Sequence, residues 1–287
     1  MEQSLKALIN LLDLEEIEKN YYRGISPDEG WQRVYGGQVI GQALVAASRT
    51  VDPDRPAHSL HGYFLRPGDT RVPILYTVDR IRDGKSFTTR RVVAIQHGRA
   101  IFSMSISFQI QEQGFDHQFD MPEVPPPEAL EDEYALRERF AADMPEEQEG
   151  VFTRRRPIEV RPVEPWNIFR PVKREPRQIC WMKALDVLPE SLRLHQCVLA
   201  YLSDWTLLDT SLYPHAVSYT DNRMQTASLD HAMWFHRPFK ADDWLLYVQD
   251  SPSASGARGF NRGSIYSRDG QLVASVAQEG LMRLRDQ

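Results

Sequence analysis

The sequence predicts an α+β protein in which one unit, a long helix followed by an antiparallel sheet, occurs twice. Helix-like and strand-like segments come in the same order on both sides of a single proline-rich, charged stretch. Equivalent strands end in Arg66-Pro67 and Arg237-Pro238, 237 − 66 = 171 positions apart, and the turns at Gly98 and Gly270 lie 270 − 98 = 172 apart. Because the two offsets agree to within one residue, they indicate an internal duplication. In each unit the helix would bury one face of its sheet.

The first half opens with a segment typical of a buried helix. Gly36, Gly37 and Gln38 precede a run of small and aliphatic residues, 39–47, that contains no proline. Strand-like runs follow, with the two-residue alternation expected of a sheet. They cover 59–65, 73–82, 86–96 and 100–109. Glycine in the turn His97-Gly98-Arg99 supplies positive φ, as expected for a hairpin between the last two runs.

The apolar periodicity stops between residues 112 and 156. Four prolines between 122 and 127 are followed by an acidic stretch, 128–149, and by an arginine run, 154–156. This composition disfavours a packed sheet and predicts a linker, with a short exposed helix around 129–142. We therefore divide the chain into an N-terminal unit, a linker and a C-terminal unit, with bounds 1–111, 112–156 and 157–287. We interpret the arginine run as a solvent-exposed segment that leads into a strand, in preference to a contact with a phosphorylated ligand.

The second half repeats the order of the first. A helix is predicted from Ser191 to Leu208, and strands are predicted over 228–236, 243–249, 257–267 and 271–283. Another glycine turn, Asp269-Gly270-Gln271, separates the last two strands. The halves therefore match element by element.

Composition excludes several classes of protein. The 287 residues contain 41% hydrophobic and 26% charged residues, typical of globular proteins, and leave room for two domains. A net charge of −6 argues against a general nucleic-acid binder. No apolar run approaches 18 residues, so no membrane span is expected, and the N-terminus does not resemble a signal peptide. Cys180 and Cys197 lack metal-site spacing, which favours a reducing, cytoplasmic location.

Common catalytic motifs are absent from the sequence. There is no G-x-S-x-G elbow and no H-E-x-x-H, and Gly84-Lys85-Ser86 lacks the earlier glycine of a phosphate loop because Asp79 stands there. The glycines at 256, 259 and 263 do not fit G-x-G-x-x-G. A covalent serine mechanism and nucleotide chemistry therefore have no support, and we expect neither a cofactor nor a metal.

One acidic residue is predicted to face the core. Cys197, Tyr201, Asp204 and Leu208 follow helical spacing and share one face of the second-half helix. An ionised carboxylate is costly there unless it is hydrogen-bonded, so Asp204 should have partners or a perturbed pKa. A purely structural acid bonded to a loop amide remains an equal alternative at this stage.

Two further polar residues accompany it. The two-residue period of the last strand places Gln278 on the buried face with Leu272, Ala274 and Val276, although a buried glutamine is often only structural. Ser228 is predicted to begin a strand, an unremarkable place for a hydroxyl. Histidines, which titrate near neutrality, are further candidates for a general base or for packing and oligomer contacts; they are His58, His61, His231 and His236.

At this point several long strings show a family resemblance. The chain is similar to the acyl-CoA thioesterase II (TesB-type) family over nearly its whole length, weakening in the linker and at both ends. The strings are YGGQVIGQA at 35–43, HSLHGYFLRPG at 58–68, DHAMWFHRP at 230–238, ARGF at 257–260 and QEG at 278–280. The resemblance implies a tandem double hotdog: two antiparallel sheets, each wrapped around a long central helix.

The resemblance also implies a catalytic trio. Carried onto this chain, the trio is Asp204, Ser228 and Gln278, where Ser228 keeps the hydroxyl that many relatives supply with threonine. No acid occupies the matching part of the first-half helix. The first unit is therefore expected to be non-catalytic and to form a wall beside the second unit. The implied activity is hydrolysis of fatty acyl-CoA to fatty acid and CoA by an Asp-activated water, without a covalent acyl-enzyme. Backbone N–H groups near a helix start are the expected oxyanion donors.

Expectations for the substrate and partners follow from this activity. An acyl-CoA substrate requires an apolar tunnel, for which the expected lining includes Tyr63, Phe64, Met233 and Trp234. Arg258, Arg262, Arg283 and Lys173 are weak candidates for contacts to CoA. A homo-oligomer, dimer or tetramer, is expected because hotdog sheets commonly pair.

Three alternatives stay open. A hotdog hydratase or dehydratase normally uses an Asp/His motif of the D-x-N-P-x-H type, which the sequence lacks. A non-catalytic acyl-CoA sensor would not need the complete trio. A purely structural oligomer subunit would not need both Asp204 and Gln278 buried.

Overall fold

Residues 3–27, 33–145 and 156–285 are described by a computed structural model of the chain. These residues form four α-helices: α1 (Gln3–Leu12), α2 (Gly36–Ser48), α3 (Glu133–Arg139) and α4 (Leu192–Ser203). They also form thirteen strands: β1 (Glu15–Glu18), β2 (Tyr21–Gly24), β3 (Ala57–Phe64), β4 (Ile74–Asp83), β5 (Phe87–Gln96), β6 (Arg99–Gln109), β7 (Ile158–Pro162), β8 (Arg177–Ala184), β9 (Met224–Ser228), β10 (Asp230–Phe235), β11 (Leu245–Ser255), β12 (Arg258–Ser267) and β13 (Leu272–Leu284).

All thirteen strands belong to one antiparallel sheet. Counted inwards from either end, equivalent strands of the two halves follow in the same order. The order is β1-β2-β4-β5-β6-β3-β10-β13-β12-β11-β8-β7, with β9 added beside β13. Strands β3 to β6 of the first half thus correspond to β10 to β13 of the second. The predicted duplication and the predicted α+β class are confirmed by this arrangement.

The symmetry centre lies where the two halves meet, between β3 and β10. Ala232 pairs with His61, and these two residues are themselves 232 − 61 = 171 positions apart. A twofold axis through this pair exchanges each residue of one half with the residue 171 positions away in the other half. It therefore relates the pair Met233–Leu60 to the pair His231–Gly62, and both pairs are present. The period read from the sequence is therefore the symmetry of the sheet.

Helices α2 and α4 pack against each other inside the curved sheet and run antiparallel. Close approach requires glycine: a Cβ at Gly37 would lie 2.2 Å from the carbonyl oxygen of Tyr201, and one at Gly41 would lie 3.2 Å from that of Cys197. Their apolar faces join one hydrophobic core that draws residues from both halves. Because the helices are antiparallel, the N-terminus of α2 meets the C-terminus of α4.

The second-half helix is shorter than predicted. It ends at Ser203, and Asp204 is its C-cap, because the backbone N–H of Trp205 turns back to the carbonyl of Leu202 and Thr206 adopts a φ of 65°. Leu208 lies in a following 3₁₀ turn, so it does not continue the helical face as predicted. Asp204 instead stands at the helix end, beside the N-terminus of α2.

The strand predicted over 228–236 is two strands. Ser228 ends β9, and β10 starts two residues later at Asp230, so the prediction that Ser228 begins a strand is wrong. Both strands pair with β13, and the backbone N–H of Leu229 between them donates to the carbonyl of Glu279. This break in the pairing directs Ser228 towards the end of α4.

Several elements were not predicted from the sequence. They are α1, β1, β2, β7, β8 and all of β9 except Ser228, which are short or lie towards the sheet's two ends. A short helix, α3, does form within the predicted range 129–142, but it is not fully exposed, since Leu136 is buried. Arg154 and Arg155 lie outside the described residues. Within the described part of the chain, none of the helices has the length and apolar character needed to cross a membrane.

Candidate active site

The structure brings Asp204, Ser228 and Gln278 together at the C-terminus of α4. The hydroxyl of Ser228 donates to Asp204 Oδ1 at 3.1 Å, and Gln278 Nε2 donates to Ser228 Oγ at 3.0 Å. Gln278 is 1% exposed, on the same face of β13 as buried Ala274 and Val276, as its alternation predicts. Three separate elements therefore supply one hydrogen-bonded set of acid, hydroxyl and amide.

The hydrogen-bonded set continues beyond these three residues to a histidine. His231, fully buried on β10, places Nδ1 2.5 Å from Gln278 Oε1 and Nε2 2.9 Å from the Oγ of Ser203. From the sequence, His231 is only one of four candidate histidines, and no partner can be assigned to it. Its contact with Gln278 follows from strand pairing. In the antiparallel register, His231 and Gln278 occupy the position next to the pair Ala232–Ala277.

The first unit contributes the N-terminus of α2 to the same site. The backbone N–H of Gly37 hydrogen-bonds to the Asp204 carboxylate. A Cβ on Gly36 would lie 2.6 Å from Asp204 Oδ2 and 3.0 Å from the ring of Phe64, so only glycine leaves room for the carboxylate. A helix N-terminus carries free N–H groups and a partial positive charge, both of which favour a carboxylate.

Burial dominates the electrostatics of the acid. It raises the pKa of Asp204 from 3.8 to about 6, although hydrogen bonds from Ser228, Gln278 and the Gly37 backbone act in the opposite direction. The carboxyl group therefore stays mostly ionised at pH 7 but is more basic than an ordinary aspartate. A base with a pKa close to the working pH is suited to proton transfer.

A cavity of about 370 Å³ opens beside Asp204. This volume falls in the range of small-molecule pockets. Its wall combines the end of α4 with the helix α3 and the segment after β7; the lining includes Leu136, Phe140, Val160, Pro162, Trp166, Ile168, Phe169 and Trp205. The segment predicted to be a linker therefore covers the site.

A second carboxyl group lines this cavity and was missed by the sequence reasoning. Burial, followed by the charges of Asp204 and Glu133, raises the pKa of Asp209 to about 7. Arg156 lies over the ring of Trp205 at 3.9 Å and pairs with Glu133 at 3.2 Å. No local periodicity marks these residues, because they meet only when the predicted linker folds over α4.

The residues expected to line the acyl tunnel are not at this cavity. Among the described residues, the cavity wall includes none of Tyr63, Phe64, Met233 and Trp234. Tyr63 is 64% exposed on the sheet, whereas Met233 is fully buried in the core. Alternation along β3 and β10 turns neighbouring side chains to opposite faces, which accounts for this difference.

The candidate CoA-binding residues are mostly engaged with acidic or polar neighbours. Arg258 pairs with Glu279 at 2.9 Å, and Arg262 pairs with Asp250 at 2.9 Å. These are exposed ion pairs, which are weak and could exchange for a phosphate. The structure thus neither gathers these residues at the cavity nor removes them from solvent.

The equivalent place in the first unit lacks the acid, the hydroxyl, the imidazole and the amide. Ala57 stands 171 positions before Ser228, and the pair Leu60–Ile106 occupies the places of His231 and Gln278. The C-cap of α2, matching Asp204, is Arg49. The trio is therefore confined to the second unit, while the first supplies the helix N-terminus.

The fold and this site define a double-hotdog protein of the thioesterase type. The sequence profile described as "Acyl-CoA thioesterase" matches residues 147–281, and "Acyl-CoA thioesterase N-terminal domain" matches 27–109. Acyl-CoA thioesterase 2 of Haemophilus influenzae is 42% identical over 100% of both chains. Acyl-coenzyme A thioesterase 8 of Mus musculus is 45% identical over 97% of this chain and 89% of its own.

Solved structures agree with the sequence matches. Acyl-CoA thioesterase II TesB2 from Mycobacterium marinum is 44% identical with a TM-score of 0.78, covering 98% of both chains. A hot dog protein from Alicyclobacillus acidocaldarius, 20% identical with a TM-score of 0.76, shares the fold. The chain belongs to the acyl-CoA thioesterase II family, and it is an acyl-CoA thioester hydrolase.

The contact between α2 and Asp204 generates a test. Changing Gly36 to Ala should lower kcat by about 10- to 100-fold, because the new methyl group displaces the carboxylate from its position. Stability should fall by about 1–3 kcal/mol, because the added methyl group overpacks the space between the Asp204 carboxylate and the Phe64 ring. Thiol release from an acyl-CoA and thermal unfolding measure the two effects.

The matched control is Gly114→Ala, where a Cβ would meet nothing within 4 Å. This variant should behave like the wild type in both measurements. A Gly36→Ala enzyme with wild-type kcat would show that the carboxylate does not depend on this close approach.

Proposed function

We propose that the enzyme hydrolyses fatty acyl-CoA by direct attack of a water molecule that Asp204 activates. The observation that carries this proposal is the partly buried carboxylate of Asp204, raised in pKa and held by Ser228, Gln278 and the N-terminus of α2. Its position at the cavity wall gives it access to a bound thioester. The hydroxyl of Ser228 contacts Asp204 and Gln278 and, among the described residues, has no histidine beside it to act as its base, which favours water over the serine as the nucleophile.

The proposed reaction has two steps. Asp204 removes a proton from water as the water oxygen bonds to the thioester carbon and the carbonyl oxygen becomes negative. The C–S bond then breaks, and the proton passes to the leaving sulfur, giving fatty acid and CoA. Ser228 and Gln278 complete the hydrogen bonds of the water and fix its direction, since a hydroxyl and an amide can both donate and accept.

The negative oxygen of the intermediate requires preorganised donors. We propose that the N-terminus of α2 supplies them, because the first N–H groups of a helix have no partner within the helix. Gly36 and Gln38 flank the Gly37 N–H that already binds Asp204, so acid and oxyanion donors would lie side by side. Such donors typically contribute a factor of about 10² to 10³ to kcat.

Further proposals concern the enzyme's organisation and location. We propose the unit bounds 1–111, 112–156 and 157–287, supported by two separate profile matches, at 27–109 and 147–281, which leave most of the predicted linker unmatched. A homo-oligomer, dimer or tetramer, remains a proposal from the family resemblance. A cytoplasmic location is supported by two buried free thiols, Cys180 and Cys197, as expected in a reducing compartment.

The direct attack of water can be tested in a single turnover in ¹⁸O-labelled water with enzyme in excess. Direct attack should place one ¹⁸O in the released fatty acid and none in Asp204. Label in the Asp204 carboxylate, or enzyme whose mass rises by one acyl group when the single turnover is quenched with acid, would establish an acyl-enzyme instead and contradict the proposal. Mass spectrometry of the fatty acid and of the peptide containing Asp204 gives both readouts.

The role of Asp204 predicts opposite effects on activity and stability. Asp204→Asn should lower kcat by orders of magnitude, because the amide cannot accept the proton. The same change should stabilise the fold at pH 7 by about 1–3 kcal/mol, since each pKa unit of the burial shift corresponds to about 1.4 kcal/mol. Thiol release and urea unfolding measure these effects.

The pH dependence provides the internal control. The pKa of Asp204 in the fold, about 6, exceeds its ordinary value of 3.8, so the folded state binds the proton more tightly. The stability difference between variant and wild type should therefore be largest above about pH 6 and vanish below about pH 4. Wild-type kcat should fall below about pH 6. A difference that is independent of pH would contradict the assignment.

The cavity wall predicts a change in chain-length preference. Leu136→Trp on α3 adds an indole to the lining and should lower kcat/KM for long acyl chains about tenfold more than for short ones. Glu138→Trp, on the exposed side of the same helix, is the matched control and should leave the profile unchanged. A panel of acyl-CoAs of increasing length measures it. Identical profiles for both variants would place the acyl chain elsewhere.

A further inference from the structure

The polar groups of the site form a closed ring. From Asp204 the contacts lead through Ser228 and Gln278 to His231, which reaches Ser203, the residue directly before Asp204. His231 and Ser203 are fully buried and Gln278 almost so, which makes unsatisfied groups costly at each step. The histidine therefore belongs to the same network as the proposed trio, although it lies away from the cavity wall.

The ionised acid determines the direction of every hydrogen bond in the ring. Ser228 has one hydrogen and uses it to donate to Asp204, so its oxygen must accept from the amide nitrogen of Gln278. The amide oxygen then faces Nδ1 of His231, which must carry a hydrogen. Burial lowers the pKa of His231 to about 4, so the neutral ring has a single N–H and its Nε2 can only accept. The hydroxyl of Ser203 therefore shares its one hydrogen between His231 Nε2, at 2.9 Å, and the carbonyl oxygen of Ala200, at 3.0 Å.

The first unit shows which residues occupy the positions of His231 and Gln278 in a unit that has no catalytic acid. Leu60 and Ile106 occupy the symmetry-equivalent positions, pair in register and are buried to the same degree as His231 and Gln278. The duplicated fold therefore accommodates two aliphatic side chains here. The histidine is not required for packing the sheet, and it occurs in the unit that holds the acid.

We infer that His231 is a positioning residue, whose Nδ1–H holds the amide of Gln278 in the orientation that directs Nε2 to Ser228. This inference rests on the proposed function of the trio. With the ring in place the amide has one satisfied orientation, whereas a rotated amide would set its oxygen against the Ser228 oxygen and leave Asp204 without that hydroxyl's hydrogen. The contact of His231 that matters for the reaction is the one to Gln278, while its second contact, to Ser203, holds the ring of the histidine in place.

Two amide substitutions separate positioning from packing. Asparagine places its N–H₂ where His231 has Nδ1, whereas glutamine places it where the ring has Nε2. His231→Asn should keep the donor to Gln278 and retain kcat within about 5-fold of the wild type. His231→Gln should lose roughly 10- to 100-fold in kcat, the effect of removing a partner that orients a functional group, with KM nearly unchanged.

The comparison remains informative if either variant is less stable, because kcat is measured per folded molecule with thermal unfolding as the check. His195→Leu is the matched control: His195 is equally buried and accepts the backbone N–H of Ala241, away from the trio. It should lose stability and keep kcat. Equal kcat for His231→Asn and His231→Gln would overturn the inference.

A double variant distinguishes this failure from failure of the proposed trio. If His231 acts through Gln278, His231→Gln should cost less than about 3-fold once Gln278 is Leu, because coupled residues are not additive. A full, additive loss in that background would overturn the positioning role. A Gln278→Leu enzyme with wild-type kcat would overturn the role of Gln278 itself, and with it the proposed function on which this inference rests.

Discussion

The active site depends on one contact, the meeting of the N-terminus of α2 with the carboxylate of Asp204. Duplication around a twofold relation makes the two central helices antiparallel, so the positive end of one must face the C-terminus of the other. A carboxylate at that C-terminus would normally oppose the helix dipole of α4. The N–H of Gly37 and the close approach allowed by Gly36 offset this cost and hold the acid at the cavity.

The opposite end of the helix pair shows that the fold does not itself require an acid there. Arg193, at the start of α4, donates to the carbonyls of Ser48 and Val51 at the end of α2. Gln196 binds both backbone groups of Ala57, the counterpart of Ser228. That end is filled by structural hydrogen bonds between the units, whereas the other end keeps an acid facing a cavity. Asymmetry in function thus arises from side chains within a symmetric backbone.

The sequence predicted the elements that local hydrophobic periodicity defines. It did not predict the features that depend on contacts between segments far apart in the chain. Alternation and helical spacing located α2 and most strands in both halves of the sheet, and the one-sided burial of Gln278 followed from the period of its strand. The end of α4 could not be predicted, because Thr206 adopts a positive φ without being glycine. Sequence spacing also gave no sign that α3 covers the cavity, or that Gly36 borders Asp204. Both arise when segments far apart in the chain pack together.

The buried ring of polar groups explains why the acid can be both basic and well ordered. Burial alone would favour a protonated Asp204, and a protonated acid could not act as a base. The donors that surround it lower the pKa again, but only partly, so the balance remains near 6. Each donor is in turn held by the next residue in the ring, which ends on the helix that carries the acid. Because Ser203 and Asp204 are adjacent, movement of the helix end would disturb the ring at two points at once, so the position and the basicity of the carboxylate are controlled together.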